Sequence, residues 1–322
     1  MLDVYVRQDR RLNRIAGATG IPAGAVWIDM LRPTPDEETL VEQAIGIDVP
    51  THAEMQEIEA SSRLYQDNGS LFMTATVLSR TDTEEPVARP ITFVLTPDRL
   101  VTIRYSEPRS FELFAARCQK PGADEDAAGV LTGLLDAVID RAADTLERLS
   151  VEMDALSVKV FLPRAARRQS EIEYQDVLRE IGRKGELNAK IQESLLSIGR
   201  LATYLGQATL GGRTGKEVRG RIKTLGRDVT SLTDHAHFLA DRVTFLLDAT
   251  LGMISNEQNT IIKIVSIATL VFLPPTVIAS IYGMNFHFMP ELDWPWGYPF
   301  ALSLMATSAV LPYLVFRRIG WL

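Results

Sequence analysis

Residues 264–282 read IVSIATLVFLPPTVIASIY, with no charged side chain among them. A helix rises about 1.5 Å per residue, so this run spans the roughly 30 Å hydrocarbon core of a bilayer. A second uncharged run, YPFALSLMATSAVLPYLVF at 298–316, follows closely. Trp294, Trp296 and Tyr298 flank one boundary and Trp321 the other, as in an interfacial aromatic belt. Two helices buried in a large soluble core are the competing account. The paired runs at one end of the chain and their aromatic flanks favour two membrane spans.

Working outward, basic residues set the orientation. Lys263 precedes the first run and Arg317 and Arg318 follow the second, whereas the outer loop 283–297 has no Lys or Arg and carries Glu291 and Asp293. The positive-inside rule places both termini in the cytoplasm. Within 264–322 only those two acids and two arginines are charged. They cancel, so the whole formal charge of -7 resides in residues 1–263. The near-zero mean hydropathy of +0.03 averages an acidic body and an apolar tail. One cysteine, Cys118, excludes an intrachain disulfide framework.

Residues 1–120 read as an α/β domain. Strands are expected at 25–29, 71–78, 91–95 and 100–105, where β-branched and aromatic residues are bounded by turn formers. Thr34-Pro-Asp-Glu-Glu38 reads as a capped helix start, with proline in the first turn and acids at the positive end of the helix dipole. Residues 121–126 read as a linker. Residues 127–260 read as a helical stalk, with one helix to Leu162 stopped by Pro163, a second over about 169–206, a break at Gly211-Gly212 and a third from Lys216. The third carries Val218, Ile222, Leu225, Val229, Leu232, Ala236, Leu239, Val243 and Leu246 in alternating steps of four and three. That spacing fits a coiled-coil seam or an ordinary amphipathic helix equally. No break separates it from the first span, so a single helix over 216–282 is expected, about 100 Å long. The membrane module is 261–322.

The first span is not apolar all round. Asn259, Ser266, Thr269, Thr276 and Ser280 share one face with Ile262 and Leu273, and Asp248 and Ser255 extend it upstream. Such a stripe serves either helix packing or a water-lined path. Pro274 and Pro275 each free a backbone carbonyl one turn earlier.

At the end of this helix stands Tyr282-Gly-Met-Asn-Phe286. With Phe272-Leu-Pro-Pro275, Met289-Pro-Glu-Leu292, Trp296-Gly-Tyr-Pro299 and the ending Arg317-Arg-Ile-Gly-Trp-Leu322, it resembles the CorA family of two-span divalent-cation channels. Upstream, Trp27-Ile-Asp29, Pro33-Thr34 and Glu37-Glu38 are similar in plan. The resemblance implies an α+β membrane protein: a cytoplasmic α/β domain, a long helical stalk and two C-terminal transmembrane helices, assembled as a funnel-shaped homopentamer in the inner membrane. It implies passive, gated transport of Mg2+, with Co2+ and Ni2+ as further cargo, and Mg2+ itself as a regulatory ion; no other cofactor is expected. Gly283, Met284 and Asn285 would form the selectivity filter, the neutral Asn285 amide holding the hydrated ion through its waters. Magnesium sheds water reluctantly, and conduction needs attraction without trapping. Thr276, Leu273, Thr269, Val265, Ile262, Asn259 and Asp248 would line the pore, with Ile262 and Val265 a hydrophobic constriction and Asp248 a second, carboxylate cation site. Gly283 would permit tight backbone at the helix end, and Glu291 and Asp293 would add outer negative charge. His287 departs from the family, which commonly has an acid there.

Asp67, Asp98, Glu125 and Asp126 are candidate regulatory acids, none matched to a family site. The four histidines lack metal-ligand spacing, with His235 and His237 read as surface or packing residues. No phosphate loop, dinucleotide fingerprint or nucleophile elbow occurs, which argues against an enzyme or an ATP-driven pump. The acidic balance gives no support for nucleic-acid binding. A zinc transporter of the ZntB kind and a membrane-anchored sensor without transport are the alternatives.

Overall fold

A computed structural model describes residues 1–8, 11–83, 85–120, 126–162, 173–208, 216–285, 287, 289–290 and 293–319. The chain forms two compact units, Met1–Leu247 and Asp248–Leu322.

The first unit is built on a seven-stranded mixed sheet of β1 (Leu2–Gln8), β2 (Arg11–Ala16), β3 (Ala25–Leu31), β4 (Leu64–Asp67), β5 (Ser70–Ser79), β6 (Val87–Leu95) and β7 (Leu100–Arg104). Their spatial order is β2-β1-β3-β7-β6-β5-β4, and only β3 and β7 pair in parallel. The four expected strands are present, each with an end shifted by one to four residues. The hairpin β1–β2 and the short β4 were not anticipated. β2 exposes most of its residues, among them Arg11 and Arg14, and β4 has only four residues, so neither shows a sustained apolar alternation.

Helix α1 (Pro35–Ile45) covers one sheet face, where Val41, Val49 and Met55 join Leu2, Val4, Ile28, Met30, Val101 and Ile103 in one buried cluster. The capping box read from sequence is present: Thr34 Oγ1 accepts from the Glu37 amide, and the Glu37 carboxylate accepts from the Thr34 amide. Gly46 closes the helix at φ 74°, where a Cβ would be strained. A single α-helical turn, α2 (Ala60–Arg63), leads into β4.

The other face carries α3 (Arg109–Cys118), α4 (Ala127–Phe161) and α5 (Tyr174–Ala208). Here Trp27 stacks on Tyr5 (ring centroids 4.1 Å apart) and meets Phe114 of α3 edge-on at 5.6 Å. The Trp27 indole N–H donates to Thr102 Oγ1 (3.0 Å), and the Thr102 hydroxyl donates to Asp29 Oδ1 (2.7 Å). Arg104 clasps Asp29 through Nε and Nη2 (2.7 Å), with its guanidinium over the Phe111 ring. Burial, then the Asp29 charge, pushes the Tyr5 phenol up from its ordinary pKa. Cys118, the single cysteine, is buried at the end of α3.

α4 starts on Asp126, whose carboxylate accepts from the Gly129 amide at 2.7 Å, so one candidate regulatory acid is a helix cap. Residues 121–125 of the expected linker, Pro163 and Gly211-Gly212 lie outside the described residues. α5 continues two residues beyond Gly206, which therefore does not end it. Ser194 Oγ donates to the Thr76 carbonyl (2.8 Å) and the Thr76 amide donates to Ser197 Oγ (2.9 Å), fixing α5 on β5.

α6 runs from Lys216 to Tyr282 as the single 67-residue helix expected. Its heptad seam packs inside the chain against α5. A Cβ on Gly185 would sit 3.1 Å from Val243, one on Gly199 3.2 Å from Val229, and one on Gly206 3.6 Å from Ile222. One set of numbers rises in steps of fourteen and seven while the other falls by the same steps. The pair is therefore antiparallel, with a valine or isoleucine over a glycine at heptad intervals. Arg221–Asp136 (3.0 Å) and the Arg242–Asp154 ion pair tie the same helix to α4.

The β5–β6 hairpin is held to α3 and α4 through Asp82, which meets Arg109 at 3.3 Å and also Arg141 and Arg148. The Arg148 hydrogen bond and then that of Arg141 outweigh desolvation and hold the Asp82 carboxyl below the usual carboxylate range. A depressed folded-state pKa stabilises fully above the unfolded value and is lost as pH falls through the folded one. Asp82→Asn should therefore lower the thermal unfolding midpoint at pH 6, and the gap from wild type should close between pH 4 and pH 2.

Candidate functional site

The second unit contains the C-terminal part of α6 and α7 (Gly297–Ile319). Both helices have a window long and apolar enough to cross a membrane, and only 6% of each window is buried within this chain. That removes the soluble-core account, since core helices bury such residues. Ile264, Phe272, Val277, Ile281, Leu311 and Leu314 instead face outward.

Every described residue expected along the path is exposed on this chain: Asp248, Asn259, Ile262, Val265, Thr269, Leu273, Thr276, Met284, Asn285 and Asp293. Glu291 lies outside the described residues, as does Phe286. Asp248 opens the second unit, and Asn285 comes three residues after the helix ends. At the helical rise these two lie about 50 Å apart along the axis, well beyond one hydrocarbon thickness. Asp248 precedes the uncharged run by sixteen residues, about 24 Å, so its carboxylate falls outside the apolar layer.

Both threonine hydroxyls of the stripe are satisfied within the helix. Thr269 Oγ1 donates to the Val265 carbonyl (2.9 Å) and Thr276 Oγ1 to the Phe272 carbonyl (2.7 Å). Such back-bonding lets a threonine face an apolar or a wet surface at little cost. Pro274 and Pro275 lie within the assigned helix, and each withholds the amide that would reach Leu270 or Val271.

The helix ends by backbone bonds: the Gly283 amide donates to the Ala279 carbonyl (2.9 Å) and the Met284 amide to that of Ile281 (3.2 Å). Gly283 is not in the left-handed region; what requires glycine is space. A Cβ there would stand 3.1 Å from the Ala279 carbonyl oxygen, a backbone atom that cannot swing aside. His287, two residues after Asn285, is exposed.

The candidate regulatory acids lie on different elements. Asp67 ends β4 beside Asn68, Asp98 is exposed between β6 and β7, and Glu125 lies outside the described residues. Among the described residues no three His, Cys, Asp or Glu side chains form a metal-holding group. His52 packs on Tyr105 and His235 lies near Phe238, as packing residues do, and His237 is exposed. The sequence reading missed a carboxylate concentration on α4: burial, then Asp136, with Asp144 and Asp228 beyond it, pushes the Asp140 carboxyl up. Its sequence signal is the spacing Asp136, Asp140, Asp144, one helical face at four-residue steps.

An α/β unit continuing through one long helix into two outward-facing apolar helices defines a two-span membrane protein. The model of the CorA-like Mg2+ transporter protein family matches residues 22–318. The magnesium transport protein CorA of Escherichia coli (strain K12) is 33% identical over 325 residues, covering 100% of both chains. The chain belongs to the CorA-like Mg2+ transporter family, which is defined by transport rather than catalysis. In fold it matches the complete structure of the CorA magnesium transporter from Methanocaldococcus jannaschii, with a TM-score of 0.78 and 20% identity over 100% of this chain and 99% of that one. A ZntB cytoplasmic domain from Vibrio parahaemolyticus RIMD 2210633 is a more distant neighbour, at TM-score 0.54 and 11% identity, covering 79% of this chain and 98% of that one.

Gly283→Ala pushes a methyl against the Ala279 carbonyl and should displace the Met284-Asn285 turn. The expected outcome is a drop of about tenfold or more in divalent-cation flux into liposomes, with the unfolding midpoint of the first unit unchanged. Unaltered flux would show that the close approach is dispensable.

Proposed function

We propose that this chain is the subunit of a gated, passive conduit carrying divalent cations, chiefly Mg2+, down the membrane potential across the inner membrane. The observation that carries this reading is the placement of Gly283-Met284-Asn285 at the end of an uncharged, outward-facing helix with one polar stripe, in a chain that aligns end to end with magnesium transport proteins.

Two spans cannot enclose a pore, so several copies must. By the family pattern the assembly is a homopentamer, with the first spans inside, the second spans around them and both termini in the cytoplasm. Five Asn285 amides would ring the outer entrance. Neutral amide oxygens attract a hydrated Mg2+ by hydrogen bonds to its water shell and release it readily, where carboxylates would hold it longer. The ion would then pass Thr276, Leu273 and Thr269, a dewetting constriction at Val265 and Ile262, and Asn259, and leave past the Asp248 ring. Glu291 and Asp293 would raise cation concentration outside. Mg2+ would also act as the regulatory ion, and added cation would relieve most repulsion at the carboxylates around Asp140. Zinc is the runner-up cargo.

Reconstitution into liposomes with a Mg2+-sensitive dye inside tests this. Wild-type protein should admit Mg2+ when the interior is negative, and Asn285→Ala should reduce entry to the leak of empty vesicles. Proton-coupled Zn2+ entry without Mg2+ entry would favour the ZntB-like alternative, and no divalent flux would leave a membrane-anchored sensor.

Asp248→Ala removes a charge ring at the inner mouth. Its Mg2+ conductance should fall by roughly tenfold at low ionic strength and less in high salt, because charge that concentrates counter-ions is screened. Light scattering should find the oligomer intact; dissociation would count against a pore role for Asp248.

A further inference from the structure

β3 and β7 are parallel, and β5 is antiparallel to β6, which is antiparallel to β7. The carboxyl ends of β3, β5 and β7 therefore lie at one end of the sheet, the position where open α/β sheets commonly hold ligands. A cleft of about 310 Å³ opens there. Arg32 lines it directly after β3, Arg80 directly after β5, and Arg89 from β6 opposite Val77. Tyr105, Ser106 and Glu107 line it beyond the end of β7. Arg32 and Arg80 have φ of 46° and 56°, so the chain turns sharply at both strand ends.

The charges do not balance. Arg32 pairs with Glu107 at 3.3 Å, whereas among the described residues the Arg80 and Arg89 guanidiniums make no ion pair or hydrogen bond. Asp82, two residues from Arg80, is already engaged by Arg109, Arg141 and Arg148. Among the described residues that line the cleft, three guanidiniums face one carboxylate, an excess of two positive charges in a chain of net -7. Ser106 is 7% exposed, and its hydroxyl is buried without a hydrogen-bond partner.

Guanidinium forks match the oxygens of a phosphate in pairs, and a hydroxyl adds a further donor. The same excess repels Mg2+. The volume is at the lower limit of small-molecule sites, enough for a phosphate group rather than a large organic ligand. We propose that this cleft binds the phosphate group of a small solute, either free inorganic phosphate or the terminal phosphates of a nucleotide. The site lies wholly in the first unit and stands apart from ion conduction, so it can fail while the transport reading holds.

Titration of the full-length protein in detergent tests it, with sodium phosphate and separately ATP in the absence of divalent ions, followed by 31P line broadening against sodium chloride of equal ionic strength. Saturable broadening is expected. Arg80→Gln with Arg89→Gln should weaken it at least tenfold. Arg179→Gln with Lys223→Gln, which removes the same charge from the exposed faces of α5 and α6, should leave it within twofold. Circular dichroism checks folding, and Arg89→Gln alone, at an exposed position, should weaken binding about threefold if the double variant does not fold. Tighter binding of ATP than of phosphate would assign the nucleotide, and equal binding the free anion. No saturable binding of either, or equal loss in the control variant, overturns the proposal. So does a change of oligomeric state in Arg80→Gln with Arg89→Gln, which would mean that an acidic segment of a second copy fills the cleft.

Discussion

A helix that turns isoleucine, leucine, valine and phenylalanine outward on every side but one can be at rest only in hydrocarbon. In water, each fully exposed side chain of this kind forgoes about 1.5–3 kcal/mol of burial. Over the two spans of this chain the sum far exceeds the stability of a typical domain. That constraint orders the rest of the molecule. It fixes which part of the chain meets lipid and leaves all but four of the 41 acidic residues to the other unit. It also makes the polar residues of α6 conspicuous, because each must justify its place in an apolar layer. Thr269 and Thr276 do so by donating to their own backbone, and Asp248 lies well outside that layer.

The first unit obeys the opposite constraint. Polar groups that it does bury favour pairing, because an unpaired one is costly. The Trp27–Thr102–Asp29–Arg104 chain of hydrogen bonds runs across the parallel pair β3–β7 and ends against the Phe111 ring, so one network fixes strand pairing and the seat of α3 together. Breaking a buried pair such as Asp29–Arg104 leaves an uncompensated charge, which usually costs about 3–5 kcal/mol. Ser194 and Ser197 do the corresponding work for α5 at Thr76. These are local fastenings on a sheet whose two faces are otherwise held by apolar side chains.

The helices α4, α5 and α6 add a third kind of order. Glycines of α5 at heptad intervals face valine or isoleucine of α6, and at Gly185 and Gly199 an added Cβ would stand closer than ordinary contact. A similar use of glycine recurs at Gly283, where the space is taken by a carbonyl of the preceding turn. In both places it is proximity, and not a left-handed backbone, that excludes a larger residue. Arg32 and Arg80 are the contrasting case: side-chain-bearing residues held at positive φ beside an arginine-lined cleft.

Much of this was legible in the sequence because it rests on local or periodic signals. Uncharged runs of nineteen residues, a capping box at Thr34, strand alternation and an unbroken helix from Lys216 to Tyr282 need no knowledge of distant contacts. The position of Gly283-Met284-Asn285 directly after the first span was legible too, because it follows from where the uncharged run ends. The edge strands β2 and β4 were not, since an edge strand is half solvated and shows little periodicity, and β1, which pairs with β2, was missed with it. The seam of α6 announced a partner without naming it. Only packing made that partner α5, antiparallel, because register depends on which residues elsewhere lack a Cβ. Likewise the sequence alone determined that Arg32, Arg80 and Arg89 exist, 57 residues apart from first to last. The tertiary structure decided that they share one cleft, because strand order brings together ends that the chain keeps apart.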